Sequence, residues 1–366
     1  MRPRLRPLFL ALCVVPACQT PQADTSAFTT MPPATSASAA SASAASSSTG
    51  TTSSSSGSGF EASTTTGELS TTTTSESGST TLILDVGADT DLGDGKPIGC
   101  KGKIDFLFVI SRYGGMSGFQ EQLLDAFPKF IDTIEAKFSD FDYHIMVVDG
   151  GRMWGSDKCE AACPMPCEWA PGYPCDYTPT ICDQAMGAGV VFPAGWFASN
   201  ELCNIDGGRY MVKGQTNLKD TFACAARVGG SGAAAIGETL MTAVQPALNA
   251  PGGCNAGFLR EDALLMVTLI SNTYDEEGAP AASQQGTPET WMAAVRAAKH
   301  DDLESVVLLS ILQVLPECHA QDRTCQMAKM FPYHLIADRE ELDYSSFFDQ
   351  ATDLVAKACA EFIPPG

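Results

Sequence analysis

The sequence predicts an α/β domain built on a doubly wound, mostly parallel sheet, and three observations predict it. Four apolar runs, near residues 104–110, 143–148, 263–270 and 306–312, are almost unbroken, as strands covered on both faces are. Amphipathic helical periods stand between them, and strands that alternate with helices imply right-handed crossovers and a parallel sheet. The third observation is an interruption: residues 150–228 hold seven cysteines, many Pro, Gly and Trp residues, and no sustained helical period. That length is too great for an ordinary loop, so a disulfide-rich insertion is expected after the second core strand.

Residues 1–17 carry Arg2, Arg4 and Arg6, then the short apolar run Leu8–Val15, then Pro16 and Ala17 before Cys18. The run is too short to span a bilayer, and the pattern is that of a signal peptide. Val15-Pro16-Ala17-Cys18 resembles a bacterial lipobox, which makes Cys18 the expected lipidated amino terminus; the alternative is an ordinary signal peptide cleaved nearby. Gln19 is not the aspartate that retains lipoproteins at the inner membrane in the enterobacterial pattern, so an outer-membrane lipoprotein is expected, on its periplasmic or cell-surface side. Residues 18–82 are mostly Ser, Thr, Ala and Gly, too poor in apolar groups to offset chain entropy. Such a tether of roughly 64 residues spans about 40–50 Å as a flexible coil.

The domain is expected over residues 83–366, with an acidic lead-in and an edge strand at Thr81–Leu84. After the strand at 104–110 comes a glycine turn, Ser111 to Ser117, where Ser117 and Gln120 form a capping-box pattern. Phe119, Leu123, Phe127, Phe130, Ile131, Ile134 and Phe138 then recur at helical spacing. Tyr143–Asp149 is the second strand, and beyond the insertion Gly237–Leu248 reads as a helix. Ala263–Ile270 is a third core strand, Pro288 opens a helix through Trp291 and Val295, and Val306–Gln313 is a fourth strand. A short strand is expected at Tyr333–Ile336, and Phe347, Ala351, Leu354, Val355, Ala358 and Phe362 mark a last helix.

The run Asp105-Phe-Leu-Phe-Val-Ile110, the glycine turn with Met116-Ser117, the segment from Gln120 to Ile131, and Tyr143–Val148 together resemble the start of a von Willebrand factor A domain, of its secreted bacterial branch. That resemblance implies a metal-ion-dependent adhesion site in the first turn, where members carry D-x-S-x-S. Laid on that pattern, the carboxylate position is Ser111, the hydroxyl positions are Tyr113 and Gly115, the threonine position is at or near Ser231, and the second aspartate position is Asn272. Hard cations need several oxygen donors, usually anionic, so a degenerate site without metal is expected. Asp275, Glu276 and Glu277 on the Asn272 loop are the one alternative cation loop, against their reading as a solvated acidic loop. The family's two ends lie side by side and some members join them by a disulfide, which implies a Cys100–Cys359 bond.

Cys13 falls in the leader and Cys18 takes lipid, leaving twelve cysteines, an even number that suits disulfides in an oxidising compartment. No C-x₂-C pair accompanies the four histidines, which argues against zinc. Cys318 and Cys325 can close a local loop. Parity then sends one of Cys159, Cys163, Cys167, Cys175, Cys182, Cys203 and Cys224 to Cys254; Cys224 is nearest in sequence, but eight cysteines allow 105 connectivities.

Net charge is −21, and −24 once Arg2, Arg4 and Arg6 are removed, which excludes a nucleic-acid partner. Enzyme signatures are weak. Ser117 lies in a broken G-x-S-x-G and reads as a cap, His144 reads as a packed core histidine, and Gly229–Gly232 lacks the P-loop lysine. The expectation is a lipid-anchored envelope or cell-surface binding protein, not an enzyme and without cofactor, that meets an unidentified protein or envelope ligand and touches the membrane only through its anchor. Trp154, Trp169, Tyr173 and Trp196 of the insertion are the candidate partner anchors, or else its own small core. A calcium-assisted adhesin using the Asp275 loop, and an envelope enzyme with its active site in the insertion, are the two alternatives.

Overall fold

A computed structural model describes residues 100, 102–151, 153–230, 232–279, 282–313, 317–340 and 343–362. The leader, Cys18, the tether, the edge strand expected at Thr81–Leu84 and Ser231 lie outside the described residues.

The domain opens with β1 (Lys103–Ile110), α1 (Ser117–Lys137) and β2 (Asp142–Asp149). The insertion carries α2 (Asp157–Ala162), α3 (Ile181–Gln184), β3 (Met211–Val212) and α4 (Leu218–Ala226). Then come α5 (Ile236–Ala243), α6 (Pro246–Asn249), β4 (Leu264–Ile270), α7 (Pro288–Ala298), β5 (Val306–Leu312), α8 (Arg323–Ala328), β6 (Tyr333–Asp338) and α9 (Tyr344–Glu361). The sheet order is β3-β2-β1-β4-β5-β6, parallel except for β3, so this is a doubly wound α/β fold. Ile110 at the end of β1 stands in register with Asp149 of β2 and with Ile270 of β4.

Alternation along the strands serves two cores. Phe106, Phe108 and Ile110 pack under α1, α4 and α9, with Phe127 of α1 stacked on Phe222 of α4. Leu107 and Val109 face the other way, onto α5, α7 and α8, where Trp291 is fully buried. Each fully buried side chain of this size contributes roughly 2–3 kcal/mol. At the amino-terminal edge of the sheet, Arg260 Nε donates to buried Asp105 at 2.8 Å. Burial pushes the Asp105 carboxyl up to about 6 against the pull of Arg260.

Several sequence expectations change. Met116, not Ser117, occupies the N-cap position of α1, without a side-chain cap bond. Gln120 is instead turned under the first loop. The helix expected over Gly237–Leu248 is two helices, since Pro246 has no N–H to continue α5 and opens α6. The insertion is more regular than its sequence reads: α4 packs into the core, and β3 pairs antiparallel to β2.

Disulfides join Cys100 to Cys359, Cys318 to Cys325 and Cys182 to Cys254. Cys224 bonds Cys203 rather than Cys254, and Cys159–Cys167 and Cys163–Cys175 close a small crosslinked knuckle within the insertion.

Candidate functional site

Strand order reverses between β1 and β4, so their carboxyl ends flank the crevice where doubly wound sheets hold ligands. Two loops fill it here. Ser111 donates its backbone N–H to Ile270 O at 2.9 Å, and its Oγ accepts the Tyr113 N–H at 3.1 Å. Asn272, from the loop after β4, donates Nδ2 to Gly114 O at 2.7 Å. Gly115 sits at φ +89°, a conformation that favours glycine, and a Cβ there would stand 3.2 Å from Asn272 Nδ2. Arg339, just beyond β6, donates to Asn272 O and lies 5.6 Å over the Phe119 ring.

These groups do not fit a divalent cation. Ser111 and Asn272 are neutral donors, Tyr113 is turned out to solvent at 40% exposure, and Gly115 has no side chain. An amide N–H of Asn272 points at the turn, and the Arg339 guanidinium adds positive charge beside it. Ser231 lies outside the described residues.

Nor is the Asp275 loop solvated at its first carboxylate. Asp275 is 3% exposed and accepts from Ser283 N and Oγ, each at 2.8 Å, and from Arg323 Nη2 at 2.8 Å. Its lone pairs are already used to fold the loop onto α8. Glu276 lies 3.2 Å from His319, and Glu277 is exposed. Neither magnesium nor calcium at millimolar concentration is therefore expected to raise the melting temperature. A ligand at 100 times its dissociation constant would stabilise the fold by about 2.7 kcal/mol, so a shift of several degrees in a thermal titration would refute this.

The residue that organises the crevice is Arg112, which the metal pattern passes over. It is 2% exposed, and Nη1 lies 3.0 Å from Asp149 Oδ2 at the end of β2. Nη1 also donates to Met153 O at 2.7 Å, and Nη2 donates to Gly155 O at 2.8 Å and to Ala194 O at 2.9 Å. Burial pushes the Asp149 carboxyl up, and the Arg112 guanidinium opposes it. One side chain thus fastens two separate stretches of the insertion to the sheet. Gly232 makes room, since a Cβ there would meet Arg112 Cβ at 3.0 Å. Beside it Gln120 Nε2 donates to Gly229 O at 2.8 Å and Ser111 O at 3.3 Å, tying α1 to the far end of the insertion. A readable signal existed: an arginine at the end of a doubly buried strand needs a carboxylate, and Asp149 ends the next strand.

The candidate aromatics divide. Tyr173 is 8% exposed and, with half-buried Trp154, packs the knuckle's own small core; Trp154 Nε1 donates to Phe192 O at 2.8 Å. Trp169 and Trp196 are 62% and 41% exposed, and Phe197 is 54% exposed with its ring 4.5 Å from Trp196. Trp196 O accepts the Gly230 N–H at 2.8 Å, so this pair stands beside the Gln120 tie at the crevice. A cavity of ≈ 30 Å³ lies beneath the insertion between Arg112, Asp149, Asp183 and Arg209, room for about two waters.

No family description matches the sequence, and no curated protein matches it. Among solved structures, proximal thread matrix protein 1 of the mussel byssus is 11% identical with TM-score 0.34, over 69% of this chain and 48% of that one. A second structure of that protein, described as having a zinc-occupied MIDAS motif, is 14% identical with TM-score 0.33. The pilus adhesin SpaC of Lactobacillus rhamnosus GG in its open conformation is 11% identical with TM-score 0.34, over 69% of this chain and 30% of that one. The chain therefore spans less than half of either protein's length. At this distance the likenesses carry no functional argument, and the fold stands on the strand order above.

Proposed function

We propose that this chain is a lipid-anchored envelope protein that binds a partner polypeptide through its insertion and performs no catalysis. One observation carries the reading. Among the described residues the exposed large hydrophobic side chains are Tyr113 of the first loop and Met153, Met165, Trp169, Ile181, Trp196, Phe197 and Leu202, all of the insertion. The sheet and its covering helices contribute none, so exposed apolar surface is concentrated on the segment that disulfides and Arg112 hold rigid. Exposed aromatics in contact, as Trp196 and Phe197 are with rings 4.5 Å apart, mark interaction sites, and rigid aromatics lose little entropy on docking. Two side chains that the sequence offers for catalysis outside the insertion are otherwise engaged: His144 packs against Tyr210 with Nδ1 2.9 Å from Phe258 O, and Ser117 begins a helix.

The reading places Cys18 in the outer membrane as the lipidated residue, with residues 18–82 as tether. Cys18→Ser is expected to move the protein from the membrane pellet to the soluble fraction; a variant that still pellets refutes the anchor. The binding surface is tested with Trp196→Ala combined with Phe197→Ala. Because both side chains are about half exposed, the melting temperature should fall only slightly, while crosslinked partner recovered from envelope extracts should fall at least about tenfold. Equal recovery by the wild-type protein and the variant would refute the surface.

A further inference from the structure

We infer that the insertion's apolar surface takes a cationic polypeptide segment, one that alternates lysine or arginine with apolar side chains. This rests on the reading of the insertion as a docking surface and names the chemistry of its occupant. Among the described residues of the insertion, the exposed charged side chains are the carboxylates Asp157, Glu160, Glu168, Asp176, Glu201, Asp206 and Asp220 and the cations Lys158, Lys213 and Lys219, of which Lys219 pairs with Asp132 at 2.8 Å. Exposed carboxylates thus outnumber exposed cations on this segment, on a chain whose net charge is already −21.

Lys158 shows how this surface receives positive charge. Lys158 Nζ lies 5.9 Å from the centre of the Trp169 ring, over its face. An aromatic face attracts a cation through its quadrupole, and neighbouring carboxylates strengthen that attraction. The Trp196–Phe197 pair offers a second aromatic platform, its rings tilted by 34°. No cation lies over it among the described residues. A partner's arginine or lysine can occupy that platform while its apolar side chains meet the aromatic ring edges. An acidic segment, an anionic membrane or a second copy of this chain would instead bring negative charge against these carboxylates.

The test uses the full chain in detergent and three synthetic amphipathic peptides in which leucine alternates with lysine, glutamine or glutamate. Binding is followed by tryptophan fluorescence and calorimetry at low and at physiological salt. The lysine peptide should bind, should weaken about tenfold with added salt, and should weaken by about 30-fold when Trp196→Ala and Phe197→Ala are combined. Neutralising Asp157→Asn, Glu168→Gln and Glu201→Gln together should weaken it about tenfold with the fold intact by circular dichroism. If the glutamine or glutamate peptide binds as well as the lysine peptide, and that binding is lost in the aromatic variant, the docking surface stands and the cationic partner is overturned. Binding of phosphatidylcholine vesicles that depends on Trp196 and Phe197 would likewise overturn it in favour of a lipid surface. Absence of any binding that depends on those two residues would overturn both.

Discussion

Arg112→Ala is expected to lower the stability of the domain by about 3–5 kcal/mol and to free the insertion from the sheet edge. The size follows from what is left behind. Asp149 keeps a carboxylate whose charge burial already disfavours, and the carbonyls of Met153, Gly155 and Ala194 lose their donors. An exposed ion pair such as Lys137–Asp353, open to solvent on both sides, is by contrast worth about 0–1 kcal/mol. Arg112→Lys should recover little, because one ammonium cannot reach Asp149 and two stretches of the insertion from a single position. In a thermal scan the alanine variant should melt about 10 °C lower, and limited proteolysis should cut first between residues 150 and 200. A melting shift under about 2 °C with an uncut insertion would refute the anchoring role.

Removing the terminal clamp, with Cys100→Ala and Cys359→Ala together, is expected to cost about 5 kcal/mol. The bond spans a sequence separation of 259, and both cysteines are fully buried. In the chain-entropy model the cost grows with loop length, so Cys318–Cys325, with a separation of 7, should contribute only about half as much. The long bond also fixes geometry, since it holds the start of β1 against the end of α9, which itself packs along α1. Urea denaturation of the two double variants gives the comparison directly. Equal losses, or a loss under about 1 kcal/mol for the Cys100 and Cys359 variant, would count against the clamp.

The core strands were legible because their signal is local. In β1, β4 and β5 nearly every residue is buried, so the pattern is continuous apolar side chains that need no knowledge of neighbours. The α1 period was legible for the same reason, and the short strand at Tyr333 was found within a few residues. In contrast, β3 has only Met211 and Val212, and two residues form a strand only because β2 offers an open edge. The break at Pro246 was written in the sequence as a residue without an N–H, and the apolar period running through it hid the stop.

The candidate site divides along the same line. That the first turn lacks carboxylates at Ser111, Tyr113 and Gly115 is a fact of residue identity, and the sequence alone determined it. So did the acidic balance and the even count of twelve cysteines outside the leader and Cys18. Which cysteine meets which was decided by tertiary structure, because Cys182 reaches Cys254 across 72 residues that fold between them. The burial of Asp275 was decided the same way, since its partner Arg323 arrives from beyond β5. Tyr173 and Trp169 are close in sequence and similar in chemistry, yet one is core and the other is surface. Burial depends on what packs against a side chain from elsewhere in the chain, and in a segment without period no local pattern carries that information.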